Sequence, residues 1–161
     1  MRKFAALLLV ALVSSAAAAT YKVPPAEPIA TVGIPEKWQS KARGEIVEAT
    51  APDRTISIRV VPIERSKIGE SMNEAMRFLR GRDGIVVQAD SRKDESIKLN
   101  GMEARNFIWQ GKDKKGEVKI KFTIVVLAPR EKLLVASWGS PEANKNHATD
   151  LEAILQSIKK P

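Results

Sequence analysis

Between residues 117 and 127 the chain reads EVKIKFTIVVL, and a period of two sorts it into two faces. Val118, Ile120, Phe122, Ile124 and Val126 make one apolar face without interruption. On the reverse, Glu117, Lys119, Lys121 and Thr123 come before Val125 and Leu127. A strand dry on one side throughout, and on the other only at its far end, belongs inside a sheet partly covered by helices.

The same reading places other elements around it. A short first strand over 29–34 is closed by Pro35, and Trp38 follows as a plug at the core edge. Strands over 45–51 and 55–61 flank Ala51-Pro52-Asp53-Arg54, with Pro and Asp at type I turn positions. Asp53 there satisfies its own backbone. A helix is expected over 71–80: Ser71 and Glu74 read as a capping box, Met72, Ala75, Met76 and Leu79 as one apolar stripe, and Gly81 as the stop. Residues 84–91 read as a short edge strand and 92–95 as a charged loop. Asn100-Gly101 is a hairpin turn signal. With the turn at Pro129-Arg130-Glu131, residues 100–138 form an antiparallel meander. Ser140-Pro141-Glu142 opens a last helix whose stripe is Ala148, Leu151, Ile154, Leu155 and Ile158. The expected fold class is therefore α+β, an antiparallel sheet flanked by helices, with the mixed reverse face of 117–127 pointing to helices on both sides.

Composition changes the picture in two ways. The 161 residues suit one domain, and such a chain buries roughly 70% of its unfolded surface without staples. There is no cysteine, which excludes disulfides, a lipidated N-terminal cysteine and thiolate metal sites. Residues 1–19 read as a signal peptide: Arg2 and Lys3, an apolar run shorter than the roughly 20 residues of a membrane span, then Ala17-x-Ala19. Residues 20–28, with three prolines in YKVPPAEP, read as an extended leader, and residues 29–161 as the single domain. Export leaves 25 basic against 19 acidic residues, a net charge of +6, in the periplasm or outside the cell.

The order IPEKW (34–38), APDRTISIRV (51–60), LNGMEARNFIW (99–109) and ILQSIK (154–159) resembles the PsbP-like family, including its bacterial DcrB-like envelope proteins. The resemblance covers nearly all of 29–159. It implies an α/β/α sandwich, the fold also used by the Ran-binding Mog protein, and a role as an accessory protein that binds other proteins. The DcrB-like branch is typically anchored through a lipidated cysteine, which this chain lacks. The metal sites of the photosynthetic branch have no counterpart here, and the family carries no catalytic motif.

No residue pattern argues for catalysis. His147 is the only histidine and reads as an exposed helix residue. Gly81-Arg82-Asp83-Gly84 is too short for a phosphate loop and follows a helix. Asp90, Asp94 and Glu95 lack calcium-loop spacing. No metal, cofactor or nucleic-acid partner is expected, and the protein is not expected to be an enzyme. At the helix end, Arg77, Arg80 and Arg82 complement the dipole, with an anion-binding cluster as the weaker reading.

The more informative constellation is on the meander. If residues 112–116 form a five-residue loop, Ile108 faces Ile120 and Asn106 faces Phe122, while Trp109 faces Lys119 and Phe107 faces Lys121. Phe107, Trp109, Lys119 and Lys121, with Lys114 and Lys115 at the tip, then make a basic–aromatic surface for an acidic envelope protein or anionic lipid headgroups. The plainer reading covers Phe107 and Trp109 with a helix while the lysines extend past it. A different class of function is a carrier or sensor of a small or lipid-like ligand between sheet and helix, near Met72, Met76 and Trp138.

Overall fold

The computed structural model describes residues 17–64 and 67–161; the proposed signal peptide lies almost wholly outside them. Among the described residues nine strands and three helices follow in the order β1 (Ala18–Val23), β2 (Ala30–Pro35), β3 (Gln39–Arg43), β4 (Ile46–Thr50), β5 (Ile56–Glu64), α1 (Ile68–Asp83), β6 (Val86–Leu99), β7 (Met102–Asp113), β8 (Gly116–Ala128), β9 (Glu131–Gly139), α2 (Pro141–Asn146) and α3 (Ala148–Gln156). β1 and β2 pair as a small sheet, and the other seven form one antiparallel sheet in the order β3-β4-β5-β9-β8-β7-β6. The expected meander is present, since β6 to β9 are successive neighbours.

The two faces of β8 divide the core as its alternation requires. Val118, Ile120, Phe122 and Ile124 pack with Leu134, Ala136 and Trp138 under Ala75 and Leu79 of α1. On the reverse, Val125 and Leu127 join Leu133, Val135, Ile56, Ile58 and Val60 beneath β1, β2 and α3. The layers are thus α1, the seven-stranded sheet, and then the small sheet with α2 and α3. Asn106 is buried on the reverse face and fully engaged: its Nδ2 donates to Glu95 Oε2 (3.1 Å), and its Oδ1 accepts from Thr123 Oγ1 (2.8 Å). Trp38 is buried in this second cluster, as expected of a core-edge plug, with Nε1 donating to Asp150 Oδ2 (3.1 Å).

Several boundaries differ from the sequence reading. Residues 20–28 are only partly a leader, because β1 takes Ala18–Val23 into register with Ala30–Pro35. β3 has no apolar alternation, being an exposed edge strand, and carried no sequence signal. α1 begins one turn before Ser71, with no side-chain cap, and Ser71 and Glu74 lie inside it. Its stripe extends back to Ile68, and burying that side chain against the sheet outweighs the local capping box. Gly81 does not stop it. The helix runs on to Asp83, whose carboxylate accepts from Trp138 Nε1 (2.7 Å), and Gly84 ends it at φ +63°. Residues 92–95 are strand, not loop: β6 continues past a bulge between Gln88 and Lys93, its charges lying along a sheet edge where they are solvated. The last helix is two helices meeting at His147, although its start, capped by Ser140 Oγ accepting from Ala143 N–H (3.0 Å), is as expected.

Candidate functional site

The β7–β8 hairpin decides the fate of the candidate binding face. Its loop is two residues, Lys114 and Lys115, not five, because Asp113 pairs with Gly116. Asp113 Oδ1 accepts from the backbone N–H groups of Lys115 (2.7 Å) and Gly116 (3.1 Å), and Gly116 takes φ +133°. Asp at the first and Gly at the fourth position is a turn signature present in the sequence D-K-K-G. The strands therefore pair one residue out of the expected register, and such a slip moves every side chain to the other face. Trp109 faces Ile120, Phe107 faces Phe122 and Arg105 faces Ile124, while Ile108 faces Lys121 and Gln110 faces Lys119.

The expected basic–aromatic surface is accordingly divided. Phe107 and Trp109, 7% and 6% exposed, belong to the core on the α1 side, where Ile68, Met72 and Met76 pack on the same cluster. Their rings stack at 6.2 Å, and Trp109 meets Phe122 edge-on at 5.3 Å. Arginines, not lysines, lie over them. The Arg92 guanidinium is 4.9 Å from the Phe107 ring centre and that of Arg105 is 5.2 Å away. Asp94 holds both in place, accepting from Arg92 Nε (2.7 Å) and Arg105 Nη2 (2.9 Å). Lys119 and Lys121 are on the opposite face. Lys121 is half-buried, and desolvation pulls its ammonium below the usual lysine range, opposed by Glu152 of α3. Lys112, Lys114, Lys115 and Lys119 are exposed and form no salt bridge among the described residues.

The helix-end arginines are also separated. Arg77 and Arg80 are exposed and border a groove with Met76 and Trp109. Arg82 turns the other way, to Glu48 (3.7 Å) and Asp83 (4.0 Å). Trp138 belongs to the α1-side core on which Met72 and Met76 pack, and it also lines a 370 Å³ cavity beside Arg82.

The structure adds a cluster that the sequence reading missed. His147 is not an exposed helix residue; its side chain is 14% exposed. Nε2 lies 2.8 Å from Asp53 Oδ2, and the ring meets Trp38 edge-on at 5.8 Å. Asp53 Oδ1 accepts from Thr55 N–H (3.1 Å) and Thr55 Oγ1 (2.7 Å), so Asp53 does serve its own turn. These bonds, His147 first, hold the Asp53 carboxyl down at about 2. Asp150 lies 3.8 Å from Nδ1 and pairs with Lys37 Nζ (2.9 Å). The arrangement clamps the β2–β3 turn, the β4–β5 turn and the α2–α3 junction. A hydroxyl-activating triad needs the imidazole between hydroxyl and carboxylate; here the carboxylate sits between Thr55 and His147. Among the described residues no group of His, Cys, Asp and Glu side chains could hold a metal ion. The Asp53–His147 pair spans 94 residues of sequence, and no local pattern signals such a contact.

No family model and no curated protein sequence matches the chain. Solved structures do. A Bacteroides thetaiotaomicron protein superposes on 88% of this chain at TM-score 0.59 and 12% identity. This chain spans about half of that protein, 48% of its length. The cyanobacterial PsbP (CyanoP) of Synechocystis covers 94% of this chain and is itself 96% covered, at TM-score 0.56 and 9% identity. The chain has the PsbP-like fold. LpqN of Mycobacterium tuberculosis, a protein involved in cell envelope biogenesis, carries the PsbP-like fold over 89% of this chain and 92% of its own, at TM-score 0.54 and 12% identity. At such identities the likeness is one of fold, and fold alone does not assign function. Among the described residues no helix is long and apolar enough to cross a membrane.

Proposed function

We propose that this chain is an exported, non-catalytic accessory protein of the bacterial cell envelope that binds the acidic surface of another protein. The binding end is the β7–β8 hairpin, through Lys112, Lys114, Lys115 and Lys119. The observation that carries this reading is the concentration of exposed lysines, without a salt bridge among the described residues, at one end of the sheet. Lys112, Lys114, Lys115 and Lys119 outnumber Asp113 and Glu117 at this end, and a net surface charge of one sign steers a partner of the other and raises the on-rate. The positively charged start and apolar run of residues 1–19 support export, and the shared fold of LpqN, involved in cell envelope biogenesis, supports the compartment. Phe107 and Trp109 drop out of the binding set, being core residues. Lys121 is a poor residue to reverse in charge, because a carboxylate at that half-buried position would lose solvation.

The experiment is recovery of partners from envelope extracts on the mature protein. The expected result is that Lys112→Glu, Lys114→Glu, Lys115→Glu and Lys119→Glu together abolish recovery of a partner that the wild type retains at low salt and releases at high salt. Unchanged recovery by the quadruple variant would sink the reading.

A further inference from the structure

The α1 side of the sheet is open along β3 and β4, and there it carries a group of arginines with little to bind. Glu48 on β4 stands opposite Lys41 of β3. Three guanidinium groups converge on its carboxylate: Arg43 Nε at 3.6 Å, Arg59 Nε at 3.7 Å and Arg82 Nη1 at 3.7 Å. All three distances are beyond a normal N–H···O bond. None of the three arginines makes a hydrogen bond among the described residues, and Arg59 Nε is a buried donor without an acceptor. Buried donors are ordinarily satisfied, so this one calls for a partner.

The groups are nevertheless held in position. Arg59, 16% exposed, lies 4.1 Å over the Phe78 ring, and Arg82 lies 5.4 Å over the same ring. Lys41, Arg43, Arg59 and Arg82 set four positive charges against Glu48 and against Asp83, which lies 4.0 Å from Arg82. Beside them opens the 370 Å³ cavity lined by Lys41, Glu48, Thr50, Ser57, Arg82 and Trp138. That volume suits a small molecule. The Thr50 and Ser57 hydroxyls at its wall are bonded to each other at 3.2 Å, which leaves one further O–H donor between them.

We propose that this cavity binds a small, multiply charged oxyanion, a phosphate ester or a polycarboxylate, through Lys41 and Arg82 at its wall, with Arg43 and Arg59 gathered beside it on Glu48. Guanidinium groups recognise such oxygens in pairs, and the aromatic ring beneath two of them fixes their planes before the ligand arrives. Glu48 is the internal competitor that keeps the arginines gathered when the site is empty. Arg82 and Trp138 also line the cleft that reaches Lys114 and Lys115, so this site adjoins the lysine hairpin.

Isothermal titration of the mature protein with pyrophosphate and with citrate tests this and distinguishes the two ligand sources. The wild type should bind one molecule of at least one probe, more weakly as salt rises. Arg43→Gln with Arg82→Gln, both at exposed positions, should weaken binding about tenfold or more. Glu48→Gln, which removes the competing charge, should tighten it about tenfold. Lys93→Glu with Lys98→Glu, exposed on β6 at the far edge of the sheet, should leave it unchanged. No binding of either probe by wild type or Glu48→Gln overturns the proposal. So does equal weakening by the lysine pair and the arginine pair, which would mean diffuse attraction to net charge.

Discussion

A single imidazole ties three separate turns together in this protein, and its effect is readable in acid. Asp53 titrates at about 2 instead of 3.8, because His147 and then Thr55 hydrogen-bond its charged form. A carboxylate with a lowered folded-state pKa stabilises the fold above its unfolded value and loses that contribution as pH falls toward the folded one. The contribution of Asp53 is therefore whole above about pH 4 and gone near pH 2. His147→Ala is expected to move the Asp53 titration upward toward the usual range, followed by NMR, and to raise the pH at which acid unfolds the protein. An unmoved Asp53 titration in that variant would mean that the clamp is not there. At this scale the sequence was a poor guide to partners. Asp53 read correctly as a turn residue, but His147 read as solvent-exposed, since nothing near it in sequence announces Asp53 or Trp38. Trp38, by contrast, was legible as core because a large apolar ring next to a turn has few places to go.

Strand and helix positions were legible where burial repeats with a strict period. β8 alternates as the core demands, and the α1 stripe from Met72 to Leu79 lies on the sheet as its spacing requires. Ends were less legible, because a local cap is worth about 1 kcal/mol and the burial of one more side chain such as Ile68 outweighs it. Close packing of strands sets another constraint, at Gly139. A Cβ there would lie 2.6 Å from the carbonyl oxygen of Thr55, the residue just before β5, where Ile56 pairs with Gly139. Gly139→Ala is expected to destabilise the protein by about 1–3 kcal/mol in a denaturant titration, by overpacking between β9 and β5. An unchanged midpoint would show that the two strands can separate there. The β7–β8 register carries the larger lesson. Asp113 and Gly116 in D-K-K-G specify a two-residue loop, and that single turn sends Phe107 and Trp109 to one face and Lys119 and Lys121 to the other.

Across the whole molecule the seven-stranded sheet is the common wall of two hydrophobic clusters, and Phe122 is fully buried at the centre of one of them. Phe122→Ala should cost about 3–5 kcal/mol, measured as a fall in unfolding free energy, because the cavity lies between α1 and the sheet and cannot collapse. A loss under 1 kcal/mol would mean that α1 settles onto the sheet and that its cover is loose. The sequence by itself determined the α+β class, the meander and the dry side of β8, because each follows from the period of apolar residues along a local stretch. It also determined the absence of thiol chemistry and the excess of positive charge. Only the tertiary structure decided which charges share a surface. That depends on register, on where α1 stops covering the sheet, and on pairs such as Glu48 with Arg82 and Asp53 with His147. Those residues are brought together by the packing of distant elements, and packing leaves no periodic trace in the chain.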